Sequence, residues 1–462
     1  MTPTPGTATG TATAANVAAL ESRLLGRLIR TEDREYDEAR QVKNALIDRR
    51  PDYIVRAADA ADVLRAVEFA RSNSLPLAVR SSGHSFSGLG TVDDGLVVDL
   101  SGMNAISVDP ERRAVWAQPG ATSADLAAAT QPHGLALSTG DTGSVALGGL
   151  TTGGGIGLLS RKFGLTIDSL RAVELVTADG RLIVANATQH PDLFWAIRGG
   201  GGNFGVVTGF EFDLHPVDTV LGGVLILPAT AEVIRGFADY TVTAPDELTT
   251  IGSLMRTPPL PMVPAEMHGK PALFILACYA GDVDEGQRVI APLRDLAEPI
   301  ADMIQPMPYS AIFSLGGGGS QPSPITTKGG LMRELSDDVI QLLVDDLHTA
   351  FDSFAMIQLR PLGGAIARIP NDATAFAHRD KSLILALINM GIERENQQWV
   401  DRMWGALQEH TSGAYVNFVG DEGESRIADA YPAETYARLS KVKRCYDPTN
   451  VFKINQNIQP AQ

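Results

Sequence analysis

Val79-Arg80-Ser81-Ser82-Gly83-His84-Ser85-Phe86-Ser87-Gly88 is the stretch on which the reading of this chain turns. It continues Leu75-Pro76-Leu77-Ala78-Val79, a short apolar run of the kind that forms a buried strand. Beyond Arg80 the residues become small. A strand ending in such a turn aims several backbone N–H groups at one point, and that concavity suits an anion, a pyrophosphate above all. His84 lies beside this cradle. An imidazole there is either purely structural or chemical, and the rest of the chain decides which.

The chain has 462 residues, enough for two or three domains with their own cores. Its formal net charge of −16 argues against nucleic acid and against an anionic membrane surface as partners. Two cysteines, Cys278 and Cys445, make neither a disulfide framework nor a metal-ligand cluster. No apolar run reaches the length of a membrane span. Residues 1–15 are rich in Thr, Ala, Gly and Pro and lack the basic start of a signal peptide, so they read as a disordered lead-in, with the cytoplasm as the expected compartment.

Outward from His84 the pattern is mixed. Val17, Leu20, Leu24, Leu25 and Leu28 share a helical face, predicting a helix over Val17–Ile29. Strands are expected at 53–56, 75–79, 95–100, 114–118, 170–177 and 182–185, the last two joined at Asp179-Gly180. Helices are expected at Ala60–Ser72 and, with a Ser cap, at Ser123–Gln131. These mixed units argue an α+β domain over 16–218. Residues 219–418 carry longer strands, at 220–226, 273–279 and 383–387. Helices lie between them at Asp284–Leu296, kinked at Pro292, and Asp337–Ala350. This reads as a second domain, an antiparallel sheet backed by helices, suited to covering a cofactor held by the first. The loop 316–322 is flexible by composition and reads as plain surface rather than as the border of a substrate entrance. Residues 419–462 form a C-terminal segment with a short helix.

Leu147-Gly148-Gly149-Leu150-Thr151-Thr152-Gly153-Gly154-Gly155-Ile156-Gly157 is too rich in glycine for a helix interior and suits backbone that approaches a flat or charged ligand. A dinucleotide fold is rejected, because the spacing is wrong and no ribose-binding acid follows about twenty residues on.

Together these runs resemble the FAD-linked oxidases of the vanillyl-alcohol oxidase (PCMH-type) superfamily, in particular the berberine-bridge-enzyme-like group. That group carries Arg-Ser-Gly-Gly-His-Ser, where this chain has Ser82 for the first Gly, and a glycine run followed by a segment like Leu159-Ser160-Arg161-Lys162-Phe163-Gly164-Leu165. Asp192-Leu193-Phe194-Trp195 with the glycines 199–202, Gly413-Ala414-Tyr415-Val416-Asn417-Phe418, and Tyr446-Asp447-Pro448-Thr449-Asn450 extend the likeness over roughly residues 50–460. One departure is Pro432 after Tyr431, where the family often has Gly.

The resemblance implies a two-part FAD-binding domain with FAD bonded covalently through His84. It places the cofactor against Arg80, Ser81, Ser82, Gly83, Ser85 and Gly88, and against Gly143, Ser144, Val145, Gly148, Gly149, Thr151, Gly153, Gly154, Gly155 and Gly157. Gly205, Val206, Val207, Tyr415 and Asn417 complete the set. Thr142 stands where some members have a Cys that makes a second flavin bond, so one covalent link is implied. Val145 falls at the oxygen-access position and points to an oxidase.

A flavin oxidase also needs a group that takes the donor's proton. Tyr415 and Asn417 share a face if 413–418 is a strand, and Tyr415 is the first candidate for the base or for a flavin contact. Gln358 and Arg360 share another strand face. Arg360 either depresses a nearby tyrosine pKa or is an ordinary salt-bridged strand residue. Phe418 stands where some relatives carry a further Tyr, and Phe takes no proton. His378-Arg379 reads as a pocket pair or, preferred, as a surface loop, and Asp168 as a turn cap rather than an acid. The partners expected are a small organic donor and O2, with the chain as monomer or homodimer. A dehydrogenase with another electron acceptor, and a flavin-binding protein without turnover, are the alternatives.

Overall fold

The computed structural model describes residues 12–315, 321–349, 355–420, 422–423 and 425–462. Most of the loop 316–322 therefore lies outside the described residues. Three larger sheets and one two-stranded ladder, Leu135–Ala136 with His215–Pro216, organise the described residues. In the first, strands run in the order Arg27–Arg30, Tyr53–Arg56, Leu96–Asp99, Leu77–Arg80. Tyr53–Arg56 and Leu77–Arg80 both pair in parallel with Leu96–Asp99. The helix Ala60–Ser72 makes the crossover, capped by the Asp59 side chain on the Asp62 N–H. All four residues of Leu96–Asp99 are buried, as befits a strand covered on both faces.

The second sheet is antiparallel, in the order Ile106–Asp109, Ala114–Ala117, Val206–Asp213, Leu170–Val176, Leu182–Asn186. The third is a larger antiparallel sheet built from residues 219–389. Its central order is Thr219–Pro228, Pro271–Tyr279, Leu248–Arg256, Ala355–Pro361, Leu383–Asn389, Thr326–Met332. Alternation along these strands sorts the faces. Leu273, Ile275, Ile357, Leu359, Leu385 and Leu387 pack into one core with the helices Ala231–Thr243, Val283–Arg294, Asp337–Thr349 and Arg394–Leu407. Ile251, Cys278 and Ile384 face the other way, onto residues 156–167 and Tyr415. The segment that follows the glycine-rich helix thus packs directly on one face of the third sheet.

Several elements differ from expectation. The first helix spans Ala14–Glu21, not Val17–Ile29, and so takes two residues of the expected lead-in. The chain leaves the helix because the Asp62 carboxylate accepts the N–H groups of Leu25 and Gly26, at 2.9 and 2.7 Å. Leu28 and Ile29 are then buried from opposite faces of the strand Arg27–Arg30, which a helix would not achieve. Thr122, not Ser123, caps the helix Ser123–Thr130, in a reciprocal capping box with Asp125. Leu147–Gly153 is helical despite its glycines. Residues 413–418 are not a strand: Tyr415 is extended and Val416–Phe418 is a single 3₁₀ turn.

Candidate active site

The first sheet delivers His84. Arg80 ends its strand with the guanidinium turned into the scaffold: it donates to the carbonyls of Ala39 and Gln41 and to Asp99 Oδ2, at 2.6, 3.1 and 2.9 Å. Its side chain therefore holds the turn in place. Gly83 (φ +74°) and Gly88 (φ +69°) adopt the left-handed backbone that the turn needs. Within it Ser85 Oγ lies 3.2 Å from Ser87 Oγ, a contact that stabilises the loop.

His84 is clamped between two hydroxyls from separate segments. Nδ1 lies 3.0 Å from Ser82 Oγ, and Nε2 lies 3.0 Å from Ser144 Oγ. Ala146 N–H donates to Ser82 Oγ at 2.8 Å, tying the clamp to the start of the glycine-rich helix. Either tautomer of the neutral ring satisfies both contacts. Burial, helped by the Lys43 charge, lowers the His84 pKa from 6.5 to about 4. The ring is therefore neutral near pH 7. Ser82, the departure from the family run, supplies half of this clamp.

The glycine centre is packed mainly against the chain itself. A Cβ on Gly148 would lie 2.2 Å from Ser81 Oγ, one on Gly153 2.3 Å from Asn417 Oδ1, and one on Gly157 1.8 Å from the Thr139 carbonyl. Gly154 (φ +133°) and Gly155 (φ +78°) also need left-handed backbone. Close approach of protein to protein thus accounts for most of these glycines. Gly149 is different: its Cβ would meet nothing within 4 Å. Nearby, Thr151 Oγ1 is buried with no partner among the described residues. An orphaned buried hydroxyl at Thr151, and open backbone at Gly149 on the other side of the same helix, fit a cofactor that meets this segment. Gly143 and Val145 offer their carbonyls to Ala124 and Ser123. Val206 and Val207 sit in the hydrophobic cores around the second sheet, and a Cβ on Gly205 would lie 2.7 Å from the Val176 carbonyl. Those three positions hold the scaffold together.

Tyr415 and Asn417 meet although 413–418 is no strand. Tyr415 Oη accepts from Gly155 N–H at 3.0 Å and from Asn417 Nδ2 at 2.9 Å, and Asn417 also donates to the Leu150 carbonyl at 3.2 Å. The ring stands edge-on to Phe376 and Phe418. Burial raises the Tyr415 pKa, outweighing its hydrogen bonds and the attraction of Arg360. Arg360 thus pulls the Tyr415 pKa down, in the expected direction, but burial outweighs it and Tyr415 stays a phenol.

Gln358 and Arg360 do share one face of Ala355–Pro361. Arg360 Nε and Nη2 both donate to Gln358 Oε1, and Nη2 also reaches Asp141 Oδ2 at 2.8 Å. The guanidinium lies over the Phe418 ring, 4.9 Å from its centre. Asp141, two residues ahead of Gly143, is a site residue that the sequence did not mark.

His378-Arg379 is not a surface loop. Arg379 makes a buried bidentate pair with Asp168, at 2.7 and 3.0 Å, and His378 Nε2 donates to the Asp429 and Ala430 carbonyls. Asp168 also caps the Leu165 N–H as expected, at 2.8 Å. The pair commits both Asp168 carboxylate oxygens to Arg379.

Known proteins match this arrangement. Residues 51–186 match the family described as FAD binding domain, and residues 414–459 the family described as berberine and berberine like. The uncharacterized FAD-linked oxidoreductase YgaK of Bacillus subtilis is 32% identical over 96% of this chain and 98% of its own length. (R)-6-hydroxynicotine oxidase of Paenarthrobacter nicotinovorans is 30% identical over 94% of this chain and 97% of its own. Among solved structures, 6-hydroxy-D-nicotine oxidase from Arthrobacter nicotinovorans matches with a TM-score of 0.83 at 27% identity, over 95% of this chain and 98% of that one. A two-part FAD-binding scaffold, a berberine-like C-terminal segment and relatives of nearly equal length agree: the chain belongs to the berberine-bridge-like FAD-linked oxidoreductases.

Proposed function

We propose that this protein is an oxidase that carries FAD on His84, takes hydride from a small organic donor and passes the electrons to O2, giving hydrogen peroxide. The observation that carries the reading is the neutral, doubly held His84. A covalent bond to an electrophilic carbon needs a nitrogen lone pair, and a ring with its pKa near 4 keeps one at neutral pH. The clamp from Ser82 and Ser144 fixes the ring plane before any bond forms. Thr151, the open face of Gly149 and the backbone of the turn at Gly83 are the groups that would hold the cofactor. When bound, FAD supplies a two-electron acceptor that oxygen can reoxidise.

The chain's own residues then divide the remaining work. Tyr415, a phenol with both lone pairs engaged, holds its proton ready to donate and orients Asn417. It is a donor of a hydrogen bond, not a base. Phe376 and Phe418 exclude water around it. The names of two relatives, (R)-6-hydroxynicotine oxidase and the carbohydrate oxidase of Microdochium nivale, support oxidase over dehydrogenase, as does Val145 at the oxygen-access position of the family motif.

The test starts with acid precipitation of the purified protein. Flavin should stay with the pellet in the parent protein and move to the supernatant in His84→Ala. Flavin that remains attached in the variant would remove His84 as the link. Anaerobic titration with sugars, alcohols, amines and phenols should bleach the flavin with one class, and air should restore it. Reduced flavin that air leaves unchanged would make the protein a dehydrogenase.

A further inference from the structure

The third sheet is covered unevenly on the face that carries Ile251 and Ile384. Residues directly opposite on neighbouring strands share a face. Ser253 pairs with Gln358 and Phe274, Met255 with Met356, and Met356 with Ile388, all on that face. At one end Ile251, Cys278 and Ile384 are buried against residues 156–167 and Tyr415. Toward the other end the cover thins. Phe274, Met255, Met356 and Ile388 are only half-buried there, as are Ser253 and Gln358. Arg360 marks the boundary. It follows Gln358 on the same strand face, and its guanidinium lies 4.9 Å from the centre of the Phe418 ring. Phe418 in turn stands 5.2 Å from the Tyr415 ring and 6.1 Å from that of Phe86, two residues past His84. Asn44 ties the Phe86 loop to the sheet. Its Nδ2 donates to the carbonyls of Phe86 and Ile325, at 3.0 and 2.8 Å, and Ile325 leads directly into the strand Thr326–Met332. The thinly covered part of the sheet therefore borders the turn that holds the imidazole.

This part of the sheet is close to neutral and mostly apolar. In the six central strands Arg360 is the one charged residue on the face, and Asp141 pairs with it at 2.8 Å. Two hydrogen-bonding side chains stand side by side among the apolar ones. Gln358 gives its Oε1 to Arg360, while its Nε2 meets only the Met356 thioether at 3.8 Å, a weak acceptor. Ser253, its cross-strand partner, adds one hydroxyl. Thioethers pack well against aromatic rings. Small-molecule sites are mainly apolar, with a few polar groups that fix orientation. A sugar would bring several hydroxyls onto a surface with two side chains to receive them, and each hydroxyl left unpaired costs free energy.

We propose that the donor is a neutral aromatic molecule with a polar substituent, its ring seated on Met255, Met356 and Ile388 and its substituent on Gln358 and Ser253, and that carbohydrates are rejected. The inference names the donor class for the oxidase reading and rests on that reading for turnover but not for binding.

The experiment is calorimetric titration of the purified, flavin-loaded protein at pH 7 with 2-naphthol, 4-hydroxyacetophenone, glucose and cellobiose. The two aromatics should bind and the two sugars should not. Met356→Gln, which makes the face polar at nearly constant side-chain length, should weaken the aromatics about tenfold or more and leave the flavin spectrum unchanged. Should that variant not fold, Met255→Gln on the neighbouring strand carries the same expectation. Sugars that bind as tightly as the aromatics, aromatics that do not bind, or aromatic binding that the folded variant leaves intact would each overturn the inference. Flavin bleaching under anaerobic conditions and its recovery in air are followed on the same sample. A protein that oxidises a donor but ignores both aromatics overturns this inference and leaves the oxidase reading standing. A protein that binds the aromatics through Met356 but whose reduced flavin air leaves unchanged does the reverse.

Discussion

At the scale of a residue, His84 couples the site to pH. Its pKa falls from 6.5 in an unfolded chain to about 4 in the folded apoprotein, so the unfolded state binds the extra proton first. The contribution is complete above pH 6.5 and is lost as pH falls toward 4. At full extent it is worth up to about 3 kcal/mol. Urea unfolding of the apoprotein at pH 7 and pH 4.5 should therefore show a larger loss in the parent than in His84→Asn. Equal losses would place the acid sensitivity elsewhere. The neighbouring serine explains why the clamp was only half legible. The sequence placed His84 by its turn, and Ser82 was visible as a departure from the motif. Its bond to the imidazole depends on Ala146, which is 64 positions away and arrives through the second segment.

At the scale of an element, the glycine-rich helix shows where composition misleads. Glycine lowers helix propensity by about 1 kcal/mol per residue relative to Ala, so composition alone predicts an irregular run. The run is helical from Leu147 to Gly153, and two of its three glycines, Gly148 and Gly153, are pressed against Ser81 and Asn417, where any side chain would collide. Two substitutions separate propensity from packing. Gly149→Ala should raise the melting temperature of the apoprotein slightly, by the equivalent of up to about 1 kcal/mol, and reduce flavin loading. Gly157→Ala, aimed at a carbonyl, should lower the melting temperature sharply whatever the loading. A Gly149→Ala protein that loads flavin normally would move the cofactor off this helix. The same logic explains residues 413–418. Alternation suggested a strand, but Phe418 N–H returns to the Tyr415 carbonyl, and a tight turn brings Tyr415 and Asn417 together just as alternation would. The contact was legible, and the element was not.

At the scale of the whole molecule, the sheet classes, the α+β architecture and the helix-backed third sheet were readable from periodicity. The long-range braces were not, since no local pattern links Asp168 to Arg379. The deepest brace joins the C-terminal segment to the first two sheets. Lys443 is fully buried and donates to the carbonyls of Asn203 and Phe452 and to Asp447 Oδ2, at 2.7, 2.8 and 2.8 Å. Asp447 in turn accepts from Val451 and Phe452 N–H. Lys443→Met, which leaves that carboxylate buried without its cation, should cost about 3–5 kcal/mol, read as a fall in the urea midpoint. A change under about 1 kcal/mol would mean that the backbone donors alone satisfy Asp447.

That brace also sets an order of events during synthesis. The core around the second sheet takes in Ala414, Val416, Tyr431, Leu439 and Ile458 together with Phe194, Phe204 and Phe210. Val206–Asp213 leaves the ribosome well before Tyr415, Asn417 and Ile458 do. At about 5–20 residues per second the roughly 200 residues between Asp213 and Tyr415 take about 10–40 s. Through that interval the nascent chain holds a finished imidazole clamp in an open, half-built groove. A protein that must wait for its own tail before closing its site gives chaperones a defined window in which to hold it, and gives any translational stall within residues 219–413 a nascent chain whose site is still open.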